Sequence, residues 1–191
     1  MRSTTSVESS AQALCRTCGL CCNGALFKDV ELRHDDDPER LQALGLVLKT
    51  QRRRRAQSER RNPPGVANPP RALPQPCPAL DGSVCRIYLE RPAYCRDFEC
   101  LLLKAVRTGR VASRTAHRIV QTARRRVDRI GKLLRKLGDL DEPVALSLRF
   151  RRVSKRHTRA FSDHRLLGAL GQLTLAVHDL NLLLRKAFYP G

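Results

Sequence analysis

All eight cysteines of this 191-residue chain fall between positions 15 and 100. Four of them sit in one run, Cys15-Arg16-Thr17-Cys18-Gly19-Leu20-Cys21-Cys22. Thiolates two residues apart along a tight turn can converge on one metal ion, leaving backbone amides free to bond the sulfurs. Gly19, inside the run, permits a positive φ and close backbone approach. Zinc takes four tetrahedral ligands and suits soft thiolates. A cubane iron–sulfur cluster also takes four, often three from a C-x-x-C-x-x-C run and one remote. The later four, Cys77, Cys85, Cys95 and Cys100, are spaced by eight, ten and five residues. That is not a zinc-ribbon spacing, and it reads as single ligands delivered by separate elements. Two four-cysteine centres satisfy the count, and so does one centre with spare ligands or redox thiols. The vicinal Cys22 is the hardest to place, because neighbouring side chains diverge. Packing as a small hydrophobe is the plainer role open to any one of the later four.

The same cysteines in a secreted chain would suggest a disulfide framework. Residues 1–14 hold a single Arg and no apolar core of a signal peptide, so a reducing, cytoplasmic setting and metal ligation are expected. No run approaches the roughly 18 consecutive apolar residues of a membrane span, so no membrane partner is expected. Lys and Arg number 37 against 18 Asp and Glu, a net charge of +19. That balance allows an acidic partner or weak nucleic-acid binding through Arg-rich surfaces, although an Arg bias can also be purely compositional. Aromatic residues are only 4% and Trp is absent, which leaves few stacking platforms for single-stranded nucleic acid.

The expected fold is mainly α, with a small irregular α+β cysteine-rich module and a C-terminal antiparallel helix pair. Residues 1–12 read as a flexible tail, 13–109 as the cysteine-cluster module, and 110–191 as a helical region packed on or beside it. Within the module, 51–76 is rich in Arg and Pro and reads as an extended, solvated loop, with the run Arg52-Arg53-Arg54-Arg55 as a solvated segment or an anion-binding arm. A short strand is expected within 25–33. Asp37-Pro38-Glu39 signals a helix start, and that helix is expected to stop at Gly45. Asp81-Gly82 signals a hairpin. A helix from Arg91-Pro92 is expected to carry Cys95, Phe98 and Leu102 and to stop at Gly109.

In the second half, Ala116, Val120, Ala123, Val127, Ile130, Leu134 and Leu137 recur at alternating steps of four and three, the narrow seam of one helix. Ser113 is its candidate N-cap and Gly138 its stop. Its opposite face carries Arg118, Arg124, Arg125, Arg126, Arg129, Lys132, Arg135 and Lys136. A matching seam runs through Leu166, Leu170, Leu173, Val177, Leu180 and Leu184, after Ser162-Asp163. Between the two, Leu146, Leu148 and Phe150 alternate with polar residues, as in a strand or an extended crossover.

Taken together, the motif of Cys15 to Cys22, then Phe27, Cys77-Pro78-x-Leu80-Asp81, Cys85-x-Ile87-Tyr88, Arg91-Pro92 and Cys95-Arg96-x-Phe98-x-Cys100 resembles the YkgJ-like cysteine-cluster family, which carries the CxxCxxCC motif. The resemblance covers roughly residues 13–103 and implies a domain that chelates zinc or iron, with all eight cysteines as metal ligands. The stretch at 51–76 looks expanded relative to the family pattern. Some members of the family are flagellin lysine methylases, which implies an iron–sulfur-dependent enzyme or electron carrier as one alternative. A zinc-stabilised, basic nucleic-acid-binding protein is another. No glycine-rich phosphate loop, H-E-x-x-H or G-x-S-x-G is present, and no catalytic residue is assigned. Arg91 and Arg96 are candidates for neutralising thiolate charge, since a four-thiolate site with divalent zinc formally carries −2. For Arg96, pairing with Asp97 or Glu99 is the plainer alternative. Tyr88 and Phe98 read as core, and the five histidines as solvated or core residues.

Overall fold

The computed structural model of the chain describes residues 4–50, 71–157 and 164–189. Helix α1 (Thr4–Cys18) opens the chain, so residues 4–12 form helical turns rather than the expected tail. Ala11 and Leu14, three residues apart on one face, are buried, and that contact gives the segment a reason to stay helical. Strand β1 (Asp29–Glu31) follows, then α2 (Pro38–Ala43). The Asp37 carboxylate caps α2 by accepting from the Glu39 and Arg40 amides, as the Asp-Pro-Glu signal requires. At its far end Gly45 N–H donates to Gln42 and Leu46 N–H to Leu41, a Schellman closure.

Strands β2 (Lys49–Thr50) and β3 (Arg71–Pro74) complete a three-stranded antiparallel sheet of order β1-β3-β2, with Val30 opposite Leu73. Residues 71–74 are therefore the sheet's central strand, not part of an extended solvated loop. Ala72 and Leu73 are buried, and Pro74 sits at the strand's end, where its missing N–H costs least. Gln75, within the same expected loop, is buried as well and its amide donates to the Lys28 carbonyl at 3.0 Å; residues 51–70, including Arg52 to Arg55, lie outside the described residues. The Asp81-Gly82 hairpin forms as expected, between β4 (Leu80–Asp81) and β5 (Val84–Cys85). The helix expected from Arg91-Pro92 is instead two: α3 (Ala93–Asp97) and α4 (Leu101–Arg107), after a short 3-10 turn at Tyr88–Glu90. The break falls at 98–100, where Cys100 turns extended and its sulfur accepts from the Leu103 amide at 3.4 Å, capping α4.

Helix α5 (Ser113–Lys136) follows its seam closely, with Ala116, Val120, Ala123, Ile130 and Leu134 buried. Its N-cap is Ala112 rather than Ser113. Its C-terminus closes with Gly138 N–H on Arg135 and Asp139 N–H on Leu134, again a Schellman closure. Residues 146–157 form helix α6 (Leu146–His157), so the apparent strand alternation is superseded. Leu146, Phe150 and Val153, at steps of four and three, carry the helical period, and Arg149 is drawn inward to a buried Asp139. Arg149 Nε bonds Asp139 Oδ1 at 2.8 Å and Arg152 Nε bonds Oδ2 at 2.8 Å.

Helix α7 (His164–Ala187) packs antiparallel on α5, as the matching seams predict: Arg126 donates to the Asp179 carbonyl at 2.6 Å, and Val120 and Phe188 line one cavity. The candidate cap Ser162-Asp163 lies outside the described residues. One large apolar cluster runs from Leu14 and Leu20 through Leu102, Val120, Ile130 and Leu173 to Phe188, crossing the expected boundary at 109. A second, smaller cluster of Val30, Leu41, Leu46, Leu73, Cys77 and Ala79 holds the sheet to α2. Within α7, residues Arg165–Ala187 are long and apolar enough to cross a membrane, by length and composition only. No unbroken apolar run marks this stretch in the sequence, because polar residues interleave. Its Leu173, Leu180 and Leu184 are buried against the core, while Leu175 and Leu182 face outward.

Candidate metal centre

Cys15 and Cys18 lie on one face of the last turn of α1. Gly19, at φ 68°, ends that helix. The amides of Cys22 and Asn23 both donate to the Gly19 carbonyl, at 3.0 and 2.9 Å, so the chain folds back through Cys21 and Cys22. A Cβ on Gly19 would meet the Ser83 backbone at 3.2 Å; the glycine is what lets the β4–β5 hairpin, which carries Cys85, lie against this turn. Cys77 is tied to the same turn directly, its amide donating to the Cys22 carbonyl at 2.7 Å. Cys95 comes from α3 and Cys100 from the cap of α4.

These elements bring all eight cysteines to the lining of one cavity of about 90 Å³. One water-sized body needs roughly 10–15 Å³, so the space admits more than one ion. All eight are free thiols. The apolar side of the wall is built by Leu20, Leu26, Phe27, Tyr94, Phe98 and Phe188. Phe27 meets Phe98 edge-on at 4.9 Å and Tyr94 at 5.7 Å; Phe98, expected as core, is half-buried, belongs to neither apolar cluster and lines the cavity. The guanidinium groups of Arg16 and Arg91 stand over the Tyr88 ring, at 5.2 and 3.7 Å from its centre, and Tyr88, expected as core, is half-buried and lines the cavity.

Burial dominates the state of six of the thiols. It pushes the Cys18 thiol up to about 12, against a backbone bond from Leu20, with the Cys100 and Cys15 thiols adding and Arg124 opposing. It holds Cys21 well above its usual range, with Cys18, Cys22, Cys100 and Cys15 adding. Cys22 is raised by burial, then by Cys77, Cys85, Cys95 and Cys15. Cys95 reaches about 12 through burial and Cys77, with Arg91 opposing, and Cys85 and Asp36 adding. Cys77 and Cys100 are also raised by burial; Arg86 opposes the rise at Cys77, and the Leu103 amide opposes it at Cys100. Buried neutral thiols at this density are poor nucleophiles but become strong ligands once a cation displaces their protons.

The residues fit a thiophilic metal. The donor set is soft, and the cavity also holds an orphaned polar atom: Gln75 is 2% exposed, and its Oε1 has no hydrogen-bond partner among the described residues. As the side chains stand, no three Cys, His, Asp or Glu among the described residues are close enough to share an ion. Closing a site therefore requires the sulfurs to draw closer, for which rotation about cysteine χ1 between staggered wells is one route. His34, His117 and His178 are exposed and stand outside the cavity lining.

The expected charge-neutralising residues divide. Arg91 lines the cavity, donates to the Tyr88 carbonyl at 2.8 Å and faces Cys95. Arg96 is absent from the cavity lining and, among the described residues, forms no ion pair with Asp97 or Glu99. It is exposed and donates to the Arg91 carbonyl at 2.6 Å. Asp97 pairs instead with Arg33, and Glu99 with Arg107. Sequence reasoning missed Arg86 and Arg124 as the cations facing Cys77 and Cys18, and missed Gln75. In the sequence Arg124 reads as part of the exposed helix back; its place one turn from the seam residue Val120 was the available signal.

Residues 14–120 match the model of the family CxxCxxCC, "Putative zinc- or iron-chelating domain". No curated protein and no solved structure matches the chain. The match extends past the cysteines into α5, as far as Val120, which itself lines the cavity. With more than half its length matched, the chain belongs to the CxxCxxCC family of zinc- or iron-chelating domains.

Proposed function

We propose that the protein binds zinc or iron through the thiolates of Cys15, Cys18, Cys21, Cys22, Cys77, Cys85, Cys95 and Cys100, in a reducing, cytoplasmic setting. The observation that carries this reading is that eight cysteines spread over 86 positions line one cavity, all as free thiols. Bound metal would supply the charge that lets buried thiols ionise, and thereby join α1, the hairpin, α3 and α4 at one point. Arg91 on the cavity wall, with Arg86 and Arg124 beyond it, offsets the negative charge of the thiolates. An iron–sulfur form is supported by the run of Cys15, Cys18 and Cys21 standing near the remote Cys100.

The test is the metal content and absorbance of the full chain purified without oxygen. Four-ligand centres predict about two to four equivalents of zinc or iron. A brown protein absorbing broadly near roughly 400 nm identifies the iron–sulfur form, and a colourless one with zinc the mononuclear form. Metal-free protein from both aerobic and anaerobic preparations overturns the reading.

A further inference from the structure

The cavity is one space, but its cysteines do not form one group. We propose that they form two separate four-thiolate metal sites, Cys15/Cys18/Cys21/Cys100 and Cys22/Cys77/Cys85/Cys95, divided at the Cys21–Cys22 peptide bond. This rests on the reading of the cavity as a metal centre. It departs from the order along the chain, which would keep Cys15 to Cys22 together and leave Cys77, Cys85, Cys95 and Cys100 as the second set.

Packing makes the division first. Cys18, Cys21 and Cys100 pack against the large helical cluster. Cys77 belongs to the small cluster beside the sheet, and Cys22 and Cys95 pack against that one. The backbone places the other two. Cys15 stands three residues from Cys18 on the last turn of α1. Cys85 lies opposite Leu80 in the hairpin, and the Leu80 amide donates to the Cys77 carbonyl at 3.0 Å. The link across the division is the peptide bond between Cys21 and Cys22.

Local geometry gives the reason. Adjacent residues do not present their side chains to one point, so a turn carrying Cys21 and Cys22 delivers one sulfur to each side. The 2.7 Å bond from the Cys77 amide to the Cys22 carbonyl fastens the second set at that turn. On the other side, the Cys15–Cys18 turn of α1 faces the cap of α4, where Cys100 is held by the Leu103 amide. Each set has four thiolates, the number a tetrahedral zinc takes. Each also has its own cations: Arg124 for the first, Arg86 and Arg91 for the second.

The test loads the anaerobic full chain with Zn²⁺ alone and counts bound zinc, with Co²⁺ substitution to report thiolate coordination by its visible spectrum. Wild type is expected to hold about two equivalents, Cys22→Ser/Cys85→Ser about one, and Cys85→Ser/Cys100→Ser essentially none. Division in chain order predicts the reverse for the two double variants, and that result overturns the proposal. So does a wild type holding only a single equivalent.

A second measurement needs no variant. Zinc-loaded wild type is stripped stepwise with a chelator and alkylated, and the modified cysteines are read by mass spectrometry. The proposal expects two blocks of four, with Cys100 appearing alongside Cys15, and Cys22 alongside Cys77. Simultaneous release of all eight, or blocks in chain order, overturns the partition while leaving zinc binding intact. Protein that holds no zinc and alkylates at all eight positions from the start overturns the metal reading itself.

Discussion

The helical lobe and the sheet lobe meet at the cysteine turn, yet they are held together by different means. The helical lobe buries Leu20, Ile130, Leu134, Val153, Leu173 and Leu184 in one continuous cluster, with Phe188 closing one end. The sheet lobe has six buried residues in its cluster, strands of two to four residues, and one helix of six. Apolar burial at roughly 25 cal/mol per Å² can sustain the first by itself. The second has too little apolar surface to offset its ordering entropy without a further bond network. Cys77 belongs to that smaller cluster and Cys22 and Cys95 pack against it, where thiolate–metal bonds would do the most for folding.

The largest effect should come from breaking the helical lobe's buried ion pair. Burial works to raise the Asp139 carboxyl, but bonds from Arg149 and Arg152 hold it below its ordinary 3.8. Its contribution is thus present at neutral pH and fades as the pH falls below that value. Asp139→Ala leaves Arg149 buried without its carboxylate and should cost about 3–5 kcal/mol at pH 7 in urea unfolding. A loss below about 1 kcal/mol, the range of an exposed pair, would mean that the pair does not hold α6 on α5.

Next come two matched core truncations, which sharpen the contrast between the lobes. Leu173→Ala and Leu73→Ala each remove a buried leucine, at 0% and 1% exposure, and each should cost about 2–5 kcal/mol. The first should lower the stability of metal-loaded and chelated protein alike. The second should matter most in the loaded form, because the chelated sheet lobe is already loosened. Equal effects in both forms at Leu73 would contradict the division.

A smaller effect is expected where the cysteine turn touches α6. Gly24 has φ 77°, its carbonyl accepts from Leu146 at 3.0 Å, and a Cβ there would meet the Ala145 backbone at 2.9 Å. Gly24→Ala should cost about 1–3 kcal/mol and weaken zinc retention, because the turn must move to relieve the overlap. The smallest effect belongs to the helix back. Arg126 and Arg135 are engaged, with the Asp179 carbonyl and with Glu142, but Arg118, Arg125 and Arg129 are exposed. Changing those three to Gln should move stability by less than about 0.5 kcal/mol. It should also flatten the salt dependence of any nucleic-acid binding; tight binding at about 150 mM salt, where the Debye length is about 8 Å, that is lost in this variant would favour the nucleic-acid reading.

Periodicity and caps carried much of the fold. The α5 and α7 seams, the Asp37 cap, the Gly45 and Gly138 stops and the Asp81-Gly82 hairpin were all legible, because each is a local signal with one physical cause. Leu146 to Phe150 misled because three alternating apolar residues suit either period, and it is Asp139, outside that window, that draws Arg149 inward. Residues 71–74 were hidden by neighbouring prolines, although Ala72 and Leu73 are ordinary strand residues. At the site, the cysteines were visible as a set, but their grouping was not. In the proposed grouping Cys100 and Cys22 exchange places relative to chain order, because the α4 cap lies at α1 and the Cys77 amide bonds the Cys22 carbonyl.

The central claim is that metal holds the cysteine region while apolar packing holds the helix pair. Amide hydrogen exchange on the full chain, before and after anaerobic chelation, tests it most directly. Amides around the cysteines in 19–31, 71–86 and 93–100 should lose protection on chelation, while those of Ser113–Lys136 and the second half of α7 keep most of theirs. Unchanged exchange around the cysteines, or loss throughout both lobes together, would contradict the account.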